Sequence, residues 1–147
     1  MPRLSRYFIR SALICFGLGF TAAALVLAAK GGTVSPSFWV WRAPHIALLL
    51  NGWLIQLAMG VAYWIFPRIL LADRGRPGWA WAAFFVFQAG VGLNLLAFLQ
   101  IWWGDTSDLL APGVGLQAFG IGLYLIHLGP RVRAAFIRQH EATPATE

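Results

Sequence analysis

Residues 77–104 read PGWAWAAFFVFQAGVGLNLLAFLQIWWG, twenty-eight positions without one Asp, Glu, Lys or Arg. A helix rises 1.5 Å per residue, so about 20 such residues cross the roughly 30 Å of hydrocarbon in a bilayer. Three further stretches are equally free of charge: Ser11 to Ala29, Ala43 to Pro67, and Leu109 to Pro130, with 19, 25 and 22 residues. The four together make up almost two thirds of the 147-residue chain, in which 59% of side chains are apolar and 11% charged. Mean hydropathy is +0.68. A soluble domain of this size needs a polar shell that such a composition cannot supply. The reading is an all-α, four-helix transmembrane bundle in a single domain, with spans at about 8–29, 44–67, 78–103 and 109–129. A soluble enzyme, a nucleic-acid module and a disulfide-framed secreted domain are excluded.

The charges mark the topology. Arg3, Arg6 and Arg10 precede the first span, Arg68, Arg74 and Arg76 lie between the second and third, and Arg131, Arg133 and Arg138 follow the fourth. Only Lys30 and Arg42 fall on the other side. Nine cations against two predicts both termini in the cytoplasm of a prokaryote, with the chain in the inner membrane. The net charge of +6 is thereby explained by topology and lipid headgroups, with no nucleic acid among the partners. Arginines before an apolar run also begin a signal peptide, but the first run exceeds the usual h-region, so it reads as a retained helix. Cys15, the lone cysteine, reads as a small packing residue.

The loops follow from prolines and aromatics. The outer segment from Lys30 to Pro44, with Phe38, Trp39 and Trp41, is expected to lie on the membrane surface. Pro67 and Pro77 are expected to bound a short inner turn through Asp73. Trp64, Phe66, Trp79 and Trp81 mark the inner interface, and Trp39, Trp41, Trp102 and Trp103 the outer. Pro130 is expected to stop the fourth helix, as Pro67 stops the second, and Glu141 to Glu147 to fray as a polar tail.

Polar side chains inside hydrocarbon are the informative ones, because lipid does not solvate them. At 100° per residue, His45, Leu49, Gly52, Gln56 and Tyr63 share one face of the second helix, with Met59 beside them. On the fourth, Gly113, Gly120 and His127 recur at intervals of seven, flanked by Gln117 and Tyr124. Glycines so spaced admit either another helix or a flat macrocycle. His45 and His127 each read as an interfacial histidine hydrogen-bonded to a carbonyl or water, or as an axial ligand of haem iron.

The segment from Arg42 to Arg68, opening Arg42-Ala43-Pro44-His45 and closing Gly60-Val61-Ala62-Tyr63-Trp64-Ile65-Phe66-Pro67, resembles the second transmembrane helix of subunit I of the haem-copper oxidase superfamily. It is most similar to the C-type oxidases and nitric oxide reductases, and the whole chain is similar to short four-helix subunit-I-like membrane proteins. The resemblance implies that His45 is an axial ligand of a b-type haem. On that reading Arg42, a cation at the outer interface, is expected to neutralise a propionate and Gly52 to make room for the macrocycle. Gln56 and Tyr63 are then expected to support the haem or to pack helices, and His127 is a further candidate cofactor-binding residue. Twelve helices and six metal-binding histidines are needed for a complete oxygen- or nitric-oxide-reducing centre; this chain has four spans and His45, His127 and His140. It is therefore not such an enzyme on its own. His127 is expected level with Trp64, roughly 28 Å deeper than His45, whereas two axial imidazoles on one iron are about 4 Å apart. The two histidines cannot share a haem.

The expected function is a small b-type haem-binding protein or respiratory-chain accessory subunit engaged in electron transfer or haem handling. A second His45 from a homodimer partner, or a histidine of a larger respiratory complex, would complete the iron's coordination. The rival reading is a haem-free structural or assembly subunit. A small-solute channel is weaker, since no charged or strongly polar line runs through the spans.

Overall fold

The computed structural model describes residues 1–66, 77–104 and 108–142, and side chains up to Pro130. Four helices in it are long and apolar enough to cross a membrane, so the chain is a multi-pass, all-α membrane protein. They are α1 (Arg3–Lys30), α2 (Pro36–Ile65), α3 (Pro77–Trp102) and α4 (Leu110–Ala142). α1 packs on α2 and α3 on α4, and the two hairpins close on each other.

The bundle is apolar outside, and small and polar residues accompany the aromatics Phe8 and Phe87 inside. Leu27, Phe85, Phe119 and Ile126 are all at least 60% exposed, where lipid would surround them. The buried stripe of α1 is Leu4, Ser5, Phe8, Ala12, Cys15, Gly19 and Ala22, spaced three or four residues apart as one helix face requires. Most of these are small. Lipid tails are as apolar as leucine, so burying apolar surface does not drive helices together; close approach and hydrogen bonds do. The buried polar residues Ser5, Gln56, Asn94 and Gln117 belong to this plan.

Helix ends explain the boundaries. α1 closes in a Schellman arrangement: Thr33 N–H bonds the Ala28 carbonyl at 3.1 Å and Gly32 N–H the Ala29 carbonyl at 3.2 Å. Gly32 takes φ +72° there, which glycine adopts without the Cβ penalty. α2 begins earlier than the expected boundary at Pro44. Ser35 caps a 3-10 turn over Pro36–Trp41, accepting from Ser37 N–H, and Pro36 occupies the first turn, where its missing donor costs nothing. The outer segment is therefore partly helical and feeds straight into the span.

α4 corrects the reading of Pro130 as a stop, because the helix continues through it to Ala142. Proline removes one hydrogen bond, to the carbonyl four residues earlier, and near the end of the span water can take that carbonyl. Pro77 opens α3 as expected. The remainder of the inner turn, and residues 143–147 of the tail, lie outside the described residues.

One feature of α2 has no counterpart in the expected wheel. Leu48–Ile55 is π-helical between two α-helical segments, Arg42–Ala47 and Gln56–Ile65. Its i→i+5 bonding widens each turn, so positions four apart stay in register: Leu48, Gly52, Gln56 and Gly60 are all buried. Such segments are rare and gather at functional sites.

Candidate functional site around His45

His45 lies in the short α-helical segment that the 3-10 turn leads into. Its ring is half-buried, and Nδ1 lies 3.0 Å from the backbone carbonyl of Gly19 on α1. A carbonyl only accepts, so Nδ1 carries the proton of this bond. In the neutral ring Nε2 then keeps its lone pair. Gly19 permits the approach, since a Cβ there would stand 2.7 Å from Leu49 Cδ2. His45, Leu49 and Gly19 thus form one local fit between α1 and α2.

The surface beside this ring is a groove of about 400 Å³, lined by Lys30, Arg42, His45 and Trp39 together with apolar residues such as Ala23 and Val26. Lys30 and Arg42 are both exposed and flank the same opening. The arrangement offers one basic imidazole nitrogen, two positive charges and an apolar wall, a combination suited to an amphipathic anion.

The rest of the expected face is used inside the chain. A Cβ at Gly52 would stand 2.8 Å from Cys15 Cβ and 2.9 Å from its Sγ, so the space expected for a macrocycle is filled by α1. Gln56 is fully buried; its Nε2 donates to Ser11 Oγ on α1 at 2.6 Å and to Gln88 Oε1 on α3 at 2.5 Å. Tyr63 stacks on His127 with ring centroids 5.9 Å apart and planes 24° from parallel. That contact puts His127 level with Tyr63, one residue from the expected level at Trp64. Three neighbouring helices therefore cover Gly52, Gln56 and Tyr63, and a second copy of the chain has no access to that face.

The glycines of α4 likewise serve helix packing. A Cβ at Gly120 would meet the Phe87 nitrogen at 2.9 Å and the Ala83 carbonyl at 3.1 Å, and one at Gly90 would meet the Gly113 carbonyl at 2.7 Å. α3 and α4 touch backbone to backbone, leaving no room for a macrocycle. Sequence reasoning passed over Ser5, Ser11, Asn51, Gln88 and Asn94. The signal that would have found the three amides was the one applied elsewhere, a polar side chain in a charge-free run.

Among the described residues no group of three or more His, Cys, Asp or Glu is placed to hold a metal ion. No protein-family model, curated protein or solved structure matches the chain.

Proposed function

We propose that the protein is a small b-type haem-binding protein or respiratory-chain accessory subunit of a prokaryotic inner membrane, with both termini cytoplasmic and His45 as its haem ligand. The observation that carries this reading is the bond from His45 Nδ1 to the Gly19 carbonyl. Metal-binding histidines characteristically donate the other ring N–H to a carbonyl or carboxylate, which fixes ring orientation and raises the basicity of the free nitrogen. The oxidase-like segment from Arg42 to Arg68 points to the same residue.

The groove fits the group in kind: Nε2 of His45 would ligate the iron, Arg42 and Lys30 would neutralise the propionates, and the apolar residues would pack on the macrocycle. A bound b haem would supply one-electron transfer. The chain's own part is to hold the imidazole still through Gly19, to neutralise the carboxylates and to keep lipid from the iron's protein side. With Gly52, Gln56 and Tyr63 covered, a second histidine comes only through the mouth of the groove, from a homodimer partner or a larger complex. The rival, a haem-free assembly subunit, is favoured by one observation, the filling of Gly52's face by Cys15.

The deciding experiment is a visible spectrum with pyridine haemochrome analysis on protein purified from haem-replete cells, wild type beside His45→Ala. A b-type spectrum in the wild type that disappears in the variant supports the reading. Colourless wild-type protein selects the haem-free subunit.

A further inference from the structure

The chain contains two asparagines, Asn51 and Asn94. Asparagine favours turns and caps because its short amide competes with the backbone, yet both sit within membrane spans, one in the π segment of α2 and one in α3. Both line the same cavity, joined there by Gln117 of α4. Three carboxamides from three helices thus converge where the hairpins meet, and no direct hydrogen bond joins them.

The cavity measures about 10 Å³, the room of a single water molecule. Asn94 is 95% buried by its 5% exposure, and its Oδ1 has no hydrogen-bond partner. That oxygen rests on Gly113, where a Cβ would collide with it, leaving the Nδ2 donors of Asn94 for the cavity. An occupant must therefore accept from Asn94. A bare cation accepts nothing. The carboxamides of Asn51 and Gln117 each offer both donor and acceptor groups, so an occupant that donates as well as accepts can pair with all three. The remaining side chains of the wall, Leu48, Val91, Leu95 and Phe98 among them, are apolar. The geometry points to one ordered water bridging Asn51, Asn94 and Gln117, which joins α2, α3 and α4 beside the π segment. Two to four polar partners are what a buried water needs, and three are present. The site is independent of His45 and of any haem.

Because the chain has only these two asparagines, labelling with [15N]asparagine yields two side-chain amide signals, both from this cavity. Solid-state NMR of the wild-type protein in deuterated-lipid bilayers should show polarisation passing from water to these amides at short mixing times. Asn94→Leu should remove one signal and strongly reduce transfer to the other. If that variant fails to insert, Gln117→Leu reads the same loss with both signals retained. Absence of water transfer to either amide in the wild type would overturn the proposal. So would amide shifts that follow sodium or potassium concentration, since these would place a cation in the site.

Discussion

The phenol of Tyr124 donates to the main-chain carbonyl of Met59 at 2.5 Å, and the hydroxyl of Ser5 donates to the next carbonyl, that of Gly60, at 2.5 Å. Two successive carbonyls of α2 are thus clasped by two different helices, one by α4 and one by α1. A carbonyl has two lone pairs, so it can keep its helical bond and accept another. A Cβ at Gly60 would stand 2.8 Å from Phe8 Cβ, which shows how near α1 comes to place Ser5. The inner half of the bundle is organised around this short stretch of backbone.

Replacing Tyr124 by Phe keeps the buried ring, which packs edge-on to Phe8 at 6.0 Å, and removes the donor. Hydrogen bonds between membrane helices average about 0.6 kcal/mol, with the best near 1.7. Tyr124→Phe is expected to cost about 1 kcal/mol in detergent-driven reversible unfolding, and Ser5→Ala a similar amount. Because the two bonds reach α2 from different helices, the double variant should lose close to the sum.

Gln56 links three helices through one nitrogen. Gln56→Leu removes both bonds and strands the Gln88 acceptor, so a loss of about 2 kcal/mol is expected. Gln88→Leu should cost less, because Gln56 keeps its bond to Ser11. A cycle of the two substitutions should give a coupling of about 1 kcal/mol. Zero coupling would mean that the amides do not meet in the bilayer.

The spans were legible because charge is excluded from hydrocarbon whatever the tertiary structure. Their ends were less so. The first helix reaches back to Arg3 since interfacial arginines do not break a helix, and α4 passes through Pro130 since one lost bond near water costs little. The π segment had no signature: a wheel drawn at 100° assumes the very spacing that Leu48–Ile55 abandons. His45 and Gln56 were visible as polar groups in an apolar helix, but their partners were not. Gly19 contributes a carbonyl that any residue has, and Gln88 belongs to a helix 32 positions away.

Two glycines that look alike in sequence are expected to respond differently. Gly52→Ala places its methyl against the Cys15 side chain, whereas Gly120→Ala places it against the backbone of α3. Each substitution should destabilise by about 1–3 kcal/mol, as overpacking does. Cys15→Gly should recover a large part of the loss at Gly52, because it removes the clashing atoms. No side-chain change on α3 should recover Gly120→Ala. Melting of the double variants in detergent distinguishes the two, and equal rescue at both sites would contradict the backbone contact.

Orientation rests on nine cations against two. Reporter fusions after Gly75 and Glu147 should read cytoplasmic, and one after Ser107 external. A cytoplasmic reading at Ser107 would break the antiparallel order of α3 and α4. The same experiment bears on His45, whose groove should face outside along with Lys30 and Arg42.

The two membrane histidines are expected to separate cleanly in spectroscopy. His45 is tied to Gly19 in the middle of α1, while His127 stacks on Tyr63, 18 residues further along α2. At 1.5 Å per residue, less a little for the π segment, this is roughly 25 Å of depth, several times the spacing of two axial ligands on one iron. His127→Ala should therefore leave the haem band and its position unchanged, while loosening the inner packing by the loss of the ring stack. His45→Ala should abolish the band while insertion and unfolding behaviour stay close to wild type, since only one interhelical bond is lost. Arg42→Ala and Lys30→Ala should each weaken haem retention through a detergent wash without abolishing it, because each leaves one propionate neutralised. If His127→Ala and His45→Ala removed the same band equally, the ligand would not be His45 alone and the groove at Lys30 and Arg42 would not be the haem site.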